Sequence, residues 1–69
     1  MNANEVEFPD VHVQLSGEDG NVFSIIGRVT KALKRVGEYD AATQFANDAM
    51  DCPSYDDVLQ LVMRTVETS

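Results

Sequence analysis

The chain has few side chains that could act as nucleophiles or as general bases. Cys52 is its only thiol and His12 its only imidazole. Cys52 lies in a stretch that also contains Asp48, Asp51 and Asp56, and nearby carboxylates disfavour the thiolate that would attack a substrate. His12 has no second histidine with which to share a metal ion. We therefore predict no enzymatic activity, no metal, no cofactor and no small-molecule substrate.

Two acidic segments could in principle hold a cation or a phosphate. Residues 17–21 (Gly-Glu-Asp-Gly-Asn) lack the ligand order of a calcium loop, and their two carboxylates would repel a phosphate. Asp51, Asp56 and Asp57 have a simpler explanation, because carboxylates before and inside the first turn of a helix stabilise its dipole. We predict neither segment as a ligand site.

The basic residues are more informative, because four of the five lie within eight positions. At helical spacing these four share one face, while the rest of the chain carries one basic and 12 acidic residues. Such a face could dock an acidic protein surface, contact a nucleic-acid backbone, or only be the solvated side of a helix. Our candidate interaction residues are these four basic residues, two polar residues of the predicted strand and one leucine of the third predicted helix: Arg28, Lys31, Lys34, Arg35, His12, Gln14 and Leu61.

Length and charge limit the classes of protein that remain. With 69 residues and a net charge of -7, the chain has room for one small domain and would be repelled by most nucleic acids and anionic membranes. The hydrophobic fraction of 43% is sufficient for a packed core. Domains below about 70–80 residues usually need a disulfide, a metal or self-association for stability. A single cysteine excludes an internal disulfide, so we predict a homodimer.

One strand is predicted near the N-terminus. Apolar and polar residues alternate over Val11–Ser16, which is typical of a half-buried strand. Two partners for this strand remain open. A turn at Pro9-Asp10 would pair it with residues 6–8 in a hairpin, although these residues do not favour a two-residue turn. Otherwise its partner comes from another chain.

Three helices are predicted after the strand. The first follows a cap at Asn21, covers Val22–Val36 and ends at Gly37. The second runs from about Asp40 to Met50, and the third from Tyr55 to about Val66 after a cap at Ser54. The apolar faces of these helices predict a core that includes Phe23, Val36, Met50, Tyr55 and Met63, with Leu61 outside it. The mid-helix Gly27 suggests a close approach by a neighbouring backbone.

The predicted fold is therefore α+β and mostly α, with one N-terminal strand, alone or in a hairpin, followed by three short helices. We expect residues 1–5 to be disordered and residues 6–67 to form a single domain. No apolar run approaches the roughly 20 residues that span a bilayer, and residues 1–5 do not resemble a signal peptide. The expected location is therefore the cytoplasm of a bacterium or of an infected host.

Two segments resemble a group of very small bacterial and phage-encoded proteins of unassigned function. The first segment lies within Leu15–Leu33. It contains a leucine, a Gly-x-Asp-Gly-Asn turn, an aromatic residue and an Ile-Gly-x-Val helix. The other has Tyr-Asp-x-x-Leu followed by Met-Arg-x-Val, and lies within Tyr55–Val66. The resemblance covers somewhat over half of the chain. It implies a stand-alone protein from a bacterium or its mobile elements, and brings no reaction, ligand or partner.

These observations together predict a small non-enzymatic protein-interaction module, encoded by a phage or mobile element and modulating a host protein. The alternative is a nucleic-acid-binding regulator that uses the basic face of the first helix. Beyond a second copy of the chain, the sequence does not identify the protein partner.

Overall fold

The computed structural model describes residues 6–15 and 21–68 of the chain. Within them, the elements confirm an α+β fold that is mostly α, and none of the helices is long and apolar enough to cross a membrane. The expected disorder of residues 1–5 and the expected turn over residues 17–20 concern residues outside this part. In chain order, the elements are β1 (Phe8–Val13), α1 (Val22–Arg35), α2 (Tyr39–Met50), α3 (Tyr55–Thr65) and β2 (Val66–Thr68).

Local signals set both ends of α1, as predicted. The Asn21 side chain accepts a hydrogen bond from the backbone N–H of Phe23 at 2.9 Å. At the other end, Gly37 has a φ of 86°, a backbone conformation that side chains with a Cβ rarely adopt. Its N–H donates to the Lys34 carbonyl, and the next N–H, of Glu38, donates to Leu33. This pair of bonds is a Schellman motif, which ends the helix.

The other two helices are separated by a short loop around Pro53. The backbone N–H of Cys52 still donates to the Ala49 carbonyl, but proline has no N–H with which to continue the helix. The next helix then begins at Ser54, whose hydroxyl accepts from the Asp57 N–H at 3.2 Å. The predicted cap at Ser54 is therefore confirmed.

The strand finds a partner within the chain, and the hairpin proposed at Pro9-Asp10 is wrong. β1 runs through Pro9 and Asp10 without turning and pairs in parallel with β2. The register shifts between Phe8 and His12, where Pro9 cannot donate to a ladder. The predicted strand bounds were also displaced: β1 begins three residues before Val11 and ends at Val13, and Ser16 lies outside the described residues.

The hydrophobic core lies where the three helices meet the two-stranded sheet. α1 packs mainly against α2 and β1, while α3 contacts both other helices and leads directly into β2. The largest fully buried side chains belong to α1, α3 and β2, and they are Leu33, Val29, Val62 and Val66. Because β2 contributes one of the four, the C-terminal segment is part of the core rather than an appendage.

Several residues predicted for the core are on the surface instead. They belong to the three helices, apart from Val36, which directly follows α1. Their exposed fractions range from 44% to 64%, and they are Phe23, Val36, Met50, Tyr55 and Met63. The helical period correctly identified buried positions such as Val29 and Val62, but it did not separate them from these exposed positions.

Gly27 does not mark a close contact within the described part of the chain. A Cβ built on this residue would meet nothing within 4 Å there. Gly27 is exposed on α1, so the backbone approach that we predicted from its position is absent among the described residues.

Candidate functional site

Five of the seven predicted interaction residues surround one cleft between β1 and α1, which we call the cationic cleft. The cleft has a volume of about 220 Å³. Its polar lining comes from both elements, and apart from Val13 and Ala32 it consists of His12, Gln14, Arg28, Lys31 and Arg35.

The core determines which side chains reach this cleft. Val11 and Val13 are buried in β1, so the alternation of a strand places His12 on the exposed side. On α1, burial of Val29 and Leu33 leaves the basic residues on the opposite, exposed face. The sequence pattern thus places each set on the exposed side of its own element, and the packing of α1 against β1 brings the two sets together.

One hydrogen bond joins the two walls of the cationic cleft. The Arg28 Nη1 donates to the backbone carbonyl of Gln14 at 3.1 Å. Gln14 directly follows the last residue of β1. Arg28 thus holds the end of the strand against the helix while it contributes positive charge to the cleft.

The cationic cleft suits an anionic group. Among the residues that the structure describes, three cationic side chains and no carboxylate line it. Arg and Lys bind carboxylate and phosphate oxygens, and the His12 ring and the Gln14 amide add further hydrogen-bonding groups. The apolar lining among the described residues is one valine and one alanine, which favours a small polar group over a large apolar ligand.

Two predicted residues do not belong to this cleft. Lys34 is exposed on α1 but does not line it. Leu61 is half-buried and packs against the core, so its predicted exposure was wrong. It lines a separate small cavity of about 80 Å³ with Phe8 and Phe45. Leu61 is therefore a packing residue.

Cys52 and the acidic residues within the described segments do not line the cationic cleft. The Cys52 thiol is half-buried and donates to the Asp48 carbonyl at 3.4 Å. Over residues 6–15 and 21–68, no three His, Cys, Asp or Glu side chains are grouped so that they could hold a metal ion.

A second surface feature, which we call the apolar groove, lies where the ends of all three helices meet. It has a volume of about 530 Å³ and is lined from the start of α1, the end of α2, the loop at Pro53 and the start of α3. Its buried lining residues are Ile26, Ala49 and Val58, with exposed fractions of 9%, 3% and 3%. Its exposed lining residues include Phe23, Met50 and Tyr55.

Sequence reasoning missed this groove because it placed all three exposed residues in the core. Phe23 is the second residue of α1, Met50 the last of α2 and Tyr55 the first of α3. The sequence signal for the groove was the presence of apolar residues at three helix ends, with Met50 and Tyr55 on either side of the loop at Pro53. Periodicity alone shows that a helix face is apolar but not whether another element covers it.

Comparison of the chain with protein-family models, with curated proteins and with solved structures finds no match. The resemblance of Leu15–Leu33 and Tyr55–Val66 to small bacterial and phage-encoded proteins stays a prediction.

Proposed function

We propose that this protein is a non-enzymatic protein-interaction module whose cationic cleft binds an acidic segment of a partner protein. The observation that carries the proposal is the convergence of His12 in the strand and Gln14 just after it with Arg28, Lys31 and Arg35 from the helix. The two sets are distant in sequence, yet they line a single cleft, and the charged side chains among these described residues are all basic.

An acidic protein segment fits this cleft better than a nucleic acid does. A duplex presents a long row of phosphates, and its binding requires a basic surface that follows the backbone. Here the cleft is small, and the chain around it carries 12 acidic residues against 5 basic ones. A few carboxylates of a peptide can enter the cleft without bringing further negative charge close to the acidic surface.

The test uses a fluorescently labelled oligoglutamate peptide, with binding followed by fluorescence anisotropy at low salt. We expect Lys31→Glu to abolish the binding, because it places a carboxylate in the cleft. Lys34→Glu is the matched control, since it makes the same change of charge on the same helix outside the cleft. If both variants lose binding equally, the basic face of α1 as a whole and not the cleft attracts the peptide, and the proposal is wrong.

A labelled duplex DNA in the same assay tests the alternative, a nucleic-acid-binding regulator. We expect weaker binding to the duplex than to the peptide at every salt concentration. Tighter binding to DNA, with a steep dependence on salt and loss on reversal of Lys31 and Lys34, would instead establish the regulator.

The biological setting is also part of the proposal. The resemblance to bacterial and phage-encoded proteins supports a modulator of a host protein, acting in the cytoplasm. Self-association stays a prediction that rests on the small size of the chain. The lone strand no longer supports it, because β2 supplies the neighbour that β1 lacked. Light scattering at micromolar concentration distinguishes a 7.6 kDa monomer from a dimer.

A further inference from the structure

We propose that the apolar groove is a second docking site, and that it takes an amphipathic helix of another protein with an apolar face flanked by lysine or arginine. This site is separate from the cationic cleft, since the two share no lining residue. The inference therefore does not depend on the function proposed above.

The groove has the composition of a helix-binding surface. Phe23 and Met50 are each 64% exposed and Tyr55 is 44% exposed. Large apolar side chains clustered around a concavity mark an interaction site more strongly than the same side chains scattered singly. Methionine is flexible and polarizable, so it adapts to side chains of different shape. None of the described residues that line the groove is charged.

Charge determines which helix would fit. Residues 36–63, which supply two of the three helix ends at the groove, contain six carboxylates and no lysine or arginine. Asp51 and Asp56 stand directly on either side of the lining segment 52–55 and are exposed. On α1, the first cation is Arg28, five residues after Phe23. A partner helix whose apolar side chains enter the groove would thus place the residues beside its apolar face close to the carboxylates of Asp51 and Asp56.

The walls of the groove favour a helix over an extended peptide. An extended peptide gains its affinity from backbone hydrogen bonds to a free strand edge. The groove is lined by α1, α2, α3 and the loop between the last two, without any contribution from β1 or β2. A helix satisfies its own backbone hydrogen bonds and can dock through side chains alone.

A second copy of the chain is a poorer occupant. A twofold contact through the groove would place the same surface on both sides, so the acidic residues of each copy would face each other. Like charges opposed across an interface disfavour association. The cationic face of α1 could supply opposite charge, but its exposed residues between Gly27 and Arg35 include no large apolar side chain.

The experiment uses a synthetic amphipathic peptide of leucine and lysine, about four helical turns long, whose binding to the full chain is measured by fluorescence anisotropy. We expect Met50→Ser to weaken binding by about tenfold, as for a central interface residue. Met63→Ser is the matched control, because Met63 is 50% exposed but does not line the groove. It should leave the affinity within about twofold. Circular dichroism checks that both variants remain folded.

Two further peptides test the chemistry of the occupant. A peptide with glutamate in place of lysine should bind at least tenfold more weakly, and one with the same residues in a non-amphipathic order should lose comparable affinity. The double variant Asp51→Asn, Asp56→Asn should weaken the lysine peptide several-fold at low salt and little at high salt. Equal loss in Met50→Ser and Met63→Ser would overturn the proposal. So would a dimer that Met50→Ser dissociates, because the occupant would then be a second copy.

Discussion

Arg28 donates a hydrogen bond to the backbone carbonyl of Gln14 at 3.1 Å and so ties α1 to the end of β1. The residues are 14 positions apart, so this hydrogen bond joins two segments that are distant in the sequence. The same guanidinium lines the cationic cleft. Arg28 therefore links the stability of the fold to the binding that we propose for the cleft.

The variant Arg28→Met tests this link, because it keeps a long side chain and a good helix former but removes the donors. We expect it to lower the free energy of unfolding by about 0.5–1 kcal/mol, the usual contribution of a solvent-accessible hydrogen bond. Urea denaturation measures the change. Lys34→Met removes the same charge from the same helix and should change stability by less than about 0.5 kcal/mol. Equal effects would mean that charge, and not the contact with Gln14, determines the loss.

Replacing Gly27 by alanine should stabilise the protein. Glycine in the middle of a helix costs about 1 kcal/mol relative to alanine, and a Cβ at Gly27 meets nothing within 4 Å among the described residues. We expect the melting temperature and the urea midpoint to rise accordingly. A fall in stability would mean that the space at Gly27 is occupied, either by a part of the chain outside the described residues or by another molecule.

The same substitution at Gly37 should have the opposite sign. Its φ of 86° costs a residue with a Cβ about 1–2 kcal/mol, even though a Cβ there meets nothing within 4 Å in the described structure. Gly37→Ala should therefore lower the urea midpoint, while Gly37→Asn should recover part of the loss because asparagine tolerates this conformation better. A neutral Gly37→Ala would show that the turn after α1 can rearrange without cost.

The features that the sequence predicted correctly are those that a short segment determines by itself. Asn21 and Ser54 cap the helices that follow them, and Gly37 ends α1, because each acts through backbone groups only a few positions away. The alternation around His12 likewise fixed its exposed side from Val11 and Val13 alone. Interactions between residues only a few positions apart can be predicted from the sequence without knowledge of the tertiary structure.

The features that were missed depend on how the elements pack. β2 is three residues long, too short to show a period, and its partner lies more than 50 positions earlier. The exposure of Met50 and Tyr55 depends on which residues the neighbouring helices cover, and the sequence of one helix does not show this. For the same reason, the predicted interaction residues include five that line the cationic cleft together with Lys34 and Leu61, which do not, and nothing in the sequence separates the two groups.

The role of β2 in the core leads to the last prediction. Val66 is fully buried and pairs with Phe8, so Val66→Ala should lower the free energy of unfolding by roughly 2 kcal/mol, at the low end for truncation of a buried aliphatic side chain. Val36→Ala is the matched control, because Val36 is 54% exposed and its truncation should cost less than about 0.5 kcal/mol. Urea denaturation measures the change in the free energy of unfolding for both variants. If Val66→Ala is as mild as Val36→Ala, then the C-terminal strand does not contribute to the core, and β1 again requires a partner from elsewhere.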